Sequence, residues 1–255
     1  MTETQTGNEA ARPTLPSLFI TGTDTGVGKT VLSALLGLIY QSAGLKTAYL
    51  KPVETGAVKG PDGLVPGDTR FVSDVLGLEE SIDVLCPYRF EHPVSPHLAG
   101  RMGKKEFKPQ VVQECFKYLE KFYDAVIVEG AGGLLVPLSE KYMVADLARD
   151  LGLPVVITAR PGLGTINHTL LTIAAALQVE LKVAGVVVNR YPEDPDPVVK
   201  DNPRAIAKLS GLPVLARVPE LDGLDAGEPG RALLEKAALE LNRLYRLDEA
   251  LAKLV

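Results

Sequence analysis

The sequence predicts an α/β fold: a doubly wound, mostly parallel sheet with helices on both faces. Short β-rich apolar runs alternate with segments of helical periodicity along the chain, the pattern of strands joined by crossover helices. Runs such as Ala125-Val126-Ile127-Val128 and Gly185-Val186-Val187-Val188 carry no polar side chain, as expected of strands covered on both sides. No stretch is rich enough in Gly, Pro or Ser to divide the chain. Residues 17–255 therefore read as a single domain behind a flexible polar tail over residues 1–16, which holds Pro13 and Pro16.

The first strand is expected over Ser17–Gly22 and the first helix over Lys29–Ala43. They are joined through Thr21-Gly22-Thr23-Asp24-Thr25-Gly26-Val27-Gly28-Lys29-Thr30. A buried strand that feeds a glycine-containing loop, with Gly-Lys-Thr at a helix start, is a phosphate-binding arrangement. Backbone N–H groups of Gly26 to Val31 would converge on the anion, and the helix N-terminus adds partial positive charge. Lys29 would reach the β and γ phosphates, and the Thr30 hydroxyl would take a place on Mg²⁺. The usual pattern places glycine where Thr23 stands; the nearest glycine is Gly22.

The second strand, Thr47–Pro52, ends at Lys51 in the segment Lys51-Pro52-Val53-Glu54-Thr55-Gly56. Alone, Lys51 would read as a solvated lysine. Beside a phosphate loop it becomes a cation for transferring phosphoryl oxygens. Thr55 suits either a substrate hydrogen bond or simple turn chemistry. Asp68 precedes a helix over Thr69–Leu76, and from spacing alone it is the better N-cap than metal ligand. A further helix over Pro109–Phe122 leads to the strand Asp124–Glu129 and the loop Gly130-Ala131-Gly132-Gly133. Glu129, a carboxylate after four apolar residues, is costly without a cation or donors and is the site candidate; Asp124 merely starts the strand.

The remaining elements are a helix over Val144–Leu151, a strand over Pro154–Ala159, a helix over Thr165–Gln178 and a strand over Ala184–Asn189. Tyr191–Pro203 holds four prolines and reads as a loop. After it come a helix over Pro203–Leu209, a strand over Pro213–Val218 and a last helix over Pro229–Lys253. That helix carries a leucine stripe expected to pack on the sheet: Leu233, Leu234, Ala237, Leu241, Leu244, Leu247 and Leu251. Ligands of parallel sheets sit beyond the carboxyl ends of the strands, which selects Lys51, Glu129, Arg160 and Asn189. The Asn189 amide suits an adenine edge and equally suits tying down a loop.

Bulk properties narrow the function classes. The chain has 255 residues, 46% hydrophobic and 23% charged, as in a globular protein able to bury a large core. Its net charge of −5 gives no electrostatic case for nucleic acid or an anionic membrane. No apolar run is long enough to span a bilayer, and no basic start with an apolar core suggests a secretory leader. Cys86 and Cys115 are far apart in sequence and suit free thiols in a reducing cytoplasm. Asn167-His168-Thr169 matches a glycosylation sequon that has no meaning without secretion. His92, His97 and His168 lack metal-ligand spacing, and no Ser/His/Asp order suggests acyl transfer.

The combination of TGTDTGVGKT, KPVETG, EGAGGLLVPL and a strand-terminal VVVN resembles the dethiobiotin synthetase family, from Thr21 to about Leu221. The resemblance implies a P-loop NTPase fold and an ATP- and Mg²⁺-dependent ligase. Such an enzyme joins CO₂ to 7,8-diaminopelargonic acid and closes a ureido ring, releasing ADP and phosphate. It implies that Lys29 and Lys51 stabilise the carbamate and the migrating phosphoryl group. By the same resemblance Thr30, Asp68 and Glu129 hold Mg²⁺, which overturns the N-cap preference for Asp68. Thr25 and Thr55 would contact the diamine, and Asn189 with Pro219, Glu220 and Leu221 would frame the nucleobase. The substrate carboxylate would meet Gly164, Thr165, Ile166 and Asn167 from a second subunit, so a homodimer would be part of the site.

Two positions depart from the family pattern. Gly26 stands where such loops often carry an acid, and Arg190 follows Asn189 where some relatives carry a carboxylate. The competing reading is an ATPase switch of the partition or septum-positioning type. Those proteins usually carry a second lysine early in the loop, where this chain has Asp24. A relative that kept the fold and lost catalysis is a third reading, opposed by the joint retention of Lys29, Thr30, Lys51 and Glu129.

Overall fold

The computed structural model describes residues 14–221, 223–224 and 230–255. Most of the expected tail lies outside the described residues, as does the expected start of the last helix at Pro229. In chain order the first elements are β1 (Leu18–Gly22), α1 (Lys29–Ser42), β2 (Thr47–Leu50), β3 (Val53–Thr55), β4 (Val58–Gly60), β5 (Gly63–Val65) and α2 (Gly67–Leu76). Next come α3 (Ile82–Leu85), β6 (Tyr88–Phe90), α4 (Pro96–Met102), α5 (Pro109–Leu119), β7 (Ala125–Glu129), β8 (Pro137–Ser139), β9 (Tyr142–Met143) and α6 (Val144–Asp150). The chain continues through β10 (Val155–Ala159), α7 (Thr165–Gln178), β11 (Val183–Tyr191), α8 (Pro197–Ser210), β12 (Val214–Pro219), α9 (Arg231–Tyr245) and α10 (Leu247–Ala252).

Each strand expected from the apolar runs enters one sheet, in the order β12-β11-β10-β1-β7-β2, and every pairing in it is parallel. Alternation along these strands divides the core in two. Phe19, Leu50, Val128, Ile157 and Val186 face α5, α6, α7 and α8, whose inward residues include Phe116, Leu147, Ile173 and Ile206. Leu18, Ile20, Tyr49, Ile127 and Val187 face the other way, against Leu35 and Ile39 of α1, Val75 of α2 and Leu241 of α9. Helices thus cover both faces, and β1 lies between β7 and β10. The chain leaves β1 toward β2 on one side, and after β7 it crosses to β10 on the other, which opens a crevice at the carboxyl ends of the strands.

Three expectations are corrected. Lys51 lies one residue past β2 rather than within the strand. The proline-rich segment is not a loop up to Pro203: α8 starts at Pro197, and the Asp196 carboxylate accepts a capping bond from Val199 N at 2.9 Å. Pro203 inside the helix offers no N–H to Val199 O; the Tyr191 hydroxyl donates to that carbonyl at 3.5 Å. The last helix is two helices. Arg246 adopts left-handed φ 50°, ψ 50° and ends α9, its N–H bonding Asn242 O at 2.7 Å. Leu234, Ala237, Leu241, Leu247 and Leu251 of the stripe are buried, whereas Leu233 and Leu244 face outward. No described helix is long and apolar enough to cross a membrane.

Candidate active site

The loop between β1 and α1 is shaped by glycine and held from outside. Gly28, at φ 87° and ψ 35°, is the left-handed residue that turns the chain into α1. A Cβ at Gly28 would sit 1.9 Å from Asn189 Nδ2. That amide, buried within β11, which runs two residues past the expected strand end, donates to Val27 O at 2.9 Å and lies 3.4 Å from Gly28 O. Asn189 therefore ties down the phosphate loop, one of the two roles its position suggested. Asp24, at the loop's start, pairs with Arg160 beyond β10 and accepts from Thr25 N at 2.7 Å.

Lys29 is 7% exposed, and its ammonium donates to Asp24 O at 3.2 Å. Burial holds its pKa below the ordinary lysine value, with Lys51 adding to the depression and Glu129 opposing it. One turn along α1, the single Ser33 hydroxyl proton is shared between Lys29 O, 2.9 Å from Oγ, and Glu129 Oε2, 3.2 Å away.

Glu129 ends β7 almost fully buried, at 1% exposure. The hydroxyls of Thr30 and Tyr49 donate to it at 2.9 and 2.7 Å, and the Lys51 ammonium donates at 2.9 Å. Four donors explain how a carboxylate survives at the end of a buried strand. The same ammonium bonds Asp68 Oδ2. Burial opposes the charge on Lys51, but Glu129 and Asp68 outweigh it and hold the pKa well above the ordinary range. Burial would likewise raise Asp68; Lys51 outweighs it and draws the carboxyl below its usual value.

Asp68 does not cap α2. Pro66 occupies the N-cap position, and no side chain of its own performs the capping. The work falls to Glu54 of β3, a capping role that no local sequence signal marks. Its carboxylate accepts from Asp68 N at 2.9 Å, Thr69 N at 3.1 Å and Thr69 Oγ1 at 2.9 Å. Freed from the cap, the Asp68 side chain turns to Lys51.

A cavity of about 680 Å³ opens over these groups, lined among others by Thr25, Thr30, Lys51, Thr55, Asp68 and Glu129. Gly26, Gly28, Lys29, Val31 and Arg190 also line it, whereas Gly164–Asn167 do not. Those four residues lie where α7 begins, beyond β10. Pro219 and Glu220 line a second hollow of about 500 Å³ with Tyr191, Arg217 and Tyr245. Leu221 lies next to it in sequence, outside that lining. The overlooked residues did leave faint signals. Ser33 lies three residues after Thr30 on one helix face, and Tyr49 lies two before Lys51, the spacing that puts side chains on one side of extended backbone.

Residues 16–228 match the family model described as AAA domain. The chain is 44% identical over 202 residues to the ATP-dependent dethiobiotin synthetase BioD of Anaeromyxobacter sp. strain K, covering 79% of this chain and 89% of that protein. It is 37% identical over 230 residues to the ATP-dependent dethiobiotin synthetase BioD of Thermodesulfovibrio yellowstonii, covering 87% and 96% respectively. The chain belongs to the dethiobiotin synthetase family. Solved structures with the same fold include apo McdA of Cyanothece, with TM-score 0.58 and 13% identity over 92% of this chain and 99% of that one. The cell division ATPase MinD of Pyrococcus furiosus gives TM-score 0.54 and 18% identity over 89% and 99%. At such identities the likeness is one of fold, and the dethiobiotin synthetase relatives carry the family assignment.

Proposed function

We propose that this chain is an ATP-dependent dethiobiotin synthetase, a ligase that forms carbon–nitrogen bonds from 7,8-diaminopelargonic acid, CO₂ and ATP. The observation that carries the reading is the Lys51 ammonium held between Glu129 and Asp68 at the mouth of a phosphate loop, in a chain so similar to dethiobiotin synthetases. The attacking carbamate and the γ phosphate are both anions, so the barrier is largely electrostatic and cations must be in place beforehand. Lys29 and Lys51 supply them, and the loop N–H groups from Gly26 to Val31 receive the phosphates. Asn189 keeps the loop in that shape and, with Pro219, Glu220 and Leu221, frames the nucleobase.

The donor set Thr30 Oγ1, Asp68 and Glu129 fits a hard divalent cation. Two carboxylates and a hydroxyl suit Mg²⁺, which usually takes few protein ligands and completes its shell with phosphate and water oxygens. Among the described residues no group of three His, Cys, Asp or Glu side chains is placed to hold a metal ion by itself, so phosphate and water oxygens would have to complete the shell. When bound, Mg²⁺ supplies charge neutralisation on the phosphoryl oxygens.

Thr25 and Thr55 face the diamine across the cavity. One amine carries the carbamate, whose oxygen attacks the γ phosphorus as ADP leaves. The second amine then attacks the carbamate carbon, and the carbon–oxygen bond to phosphate breaks as the ring closes. No covalent bond to the protein is required. Gly164, Thr165, Ile166 and Asn167 of a second copy hold the substrate carboxylate at a helix N-terminus, which makes the working unit a homodimer. A cytoplasmic setting belongs to the same reading, supported by the free thiols of Cys86 and Cys115.

The test supplies MgATP, bicarbonate and 7,8-diaminopelargonic acid. Expected are dethiobiotin by mass and phosphate release coupled to it. Phosphate release indifferent to the diamine would instead support an ATPase switch. The switch reading has fold likeness alone behind it, and its early loop lysine is replaced here by Asp24, already paired with Arg160.

A further inference from the structure

We infer that Glu54 is a positioning residue: its carboxylate holds Asp68 against Lys51 by capping α2 from outside the helix. The inference rests on the proposed ligase reading for what Asp68 does, and on geometry for what Glu54 does.

Lys51 follows β2 directly and Glu54 sits in β3, within a single short segment, so their separation is fixed by the same stretch of backbone. Asp68 and Thr69 lie in the first turn of α2, where four backbone N–H groups have no partner within the helix. Glu54 takes two of them with its two oxygens and adds the Thr69 hydroxyl. A carboxylate at a helix N-terminus also meets the positive end of the helix dipole. The segment that supplies the site lysine thus also supplies the clamp for the carboxylate that faces that lysine.

The placement has an electrostatic cost that marks it as more than a surface cap. Glu54 is 6% exposed, and the Lys51 charge stands against the cost of burying it. A glutamine keeps the shape and one good acceptor but presents an N–H₂ either to the Asp68 N–H or to the Thr69 N–H and hydroxyl. The first turn of α2 must then shift, and Asp68 shifts with it. Partners behind a metal ligand typically change metal affinity by about 10- to 100-fold when removed.

The full chain is compared with Glu54→Gln and Glu54→Asp, the second keeping the charge but losing reach. Mn²⁺ serves as the probe, titrated by paramagnetic resonance in the presence of ADP, beside thermal melting and steady-state kinetics. Both variants should raise the half-saturating Mn²⁺ concentration about tenfold or more, with KM for the diamine within about twofold. In an Asp68→Asn background the same Glu54 changes should add little, because their effect passes through Asp68.

A lower melting temperature with unchanged Mn²⁺ binding would make Glu54 a plain structural cap and overturn the inference. Additive effects in the Asp68→Asn background would overturn it as well. If the unaltered chain makes no dethiobiotin, the ligase reading fails by itself. The cycle of Glu54 and Asp68 variants in Mn²⁺ binding still decides whether the two residues act as a unit.

Discussion

Lys51 stays charged although it is buried, because Glu129 and Asp68 stand on either side of it. Removing one member of such a cluster leaves charge behind, and here Glu129 would keep three hydroxyl donors from Thr30, Ser33 and Tyr49. Lys51→Ala should therefore stay folded by circular dichroism while turnover falls about a hundredfold or more. Near-normal turnover would make Lys51 a structural counter-ion only. Lys29 differs in sign. Its folded pKa lies below the lysine value of 10.5, so with rising pH it loses its proton before an ordinary lysine would. Lys51, with its raised pKa, keeps its proton through that window. An anion binds the protonated form, so ADP affinity measured without metal should turn down below pH 10.5, ahead of any loss at Lys51. A flat calorimetric profile up to that pH would refute the assignment.

The phosphate loop works as an element because β11 reaches across to hold it. Val27 O receives its proton from Asn189, and the approach is so close that Gly28 has no room for a methyl group. Asn189→Ala should weaken ADP binding, and Asn189→Asp should weaken it further by aiming an oxygen at a carbonyl. ADP affinities of both variants equal to that of the unaltered chain would show that the clamp has no part in holding nucleotide. At this scale the sequence was legible where periodicity is strong: the strands of the main sheet and α1, α5 and α7 fell within a few residues of expectation. It was less legible where a single residue decides. Pro203 read as a helix start, but a hydroxyl from Tyr191 meets the carbonyl that proline leaves without a donor. Arg246 broke an unbroken leucine pattern by adopting a left-handed conformation that no periodicity foretells. Asp68 looked like a cap because capping by a side chain distant in sequence, here Glu54, leaves no local mark.

On the scale of the whole molecule, the carboxyl rim carries two sets of groups that do not meet within one copy. The phosphate loop, Lys51, Asp68 and Glu129 share a cavity, while Gly164–Asn167 stand at the start of α7 outside its lining. Leucines are exposed near that start and along α7: Leu163 is 90% exposed, Leu171 61% and Leu135 61%, while Leu177, at the far end of the helix, is 57% exposed. Leu171 and Leu177 lie on the outward side of α7, and Leu171 also lines a hollow of about 370 Å³ with Leu135 and His168. Leu135 and Leu171, exposed side by side at one hollow, are apolar surface that the proposed homodimer would cover. A twofold pairing through α7 would cover them and bring one copy's Gly164–Asn167 toward the other copy's site. Leu171→Asp should then yield a monomer by light scattering, with ADP affinity kept and KM for the diamine raised at least about tenfold. Light scattering that finds the unaltered chain monomeric, or a monomeric variant with unchanged KM, would separate the leucines from the substrate site and leave one copy sufficient for the reaction.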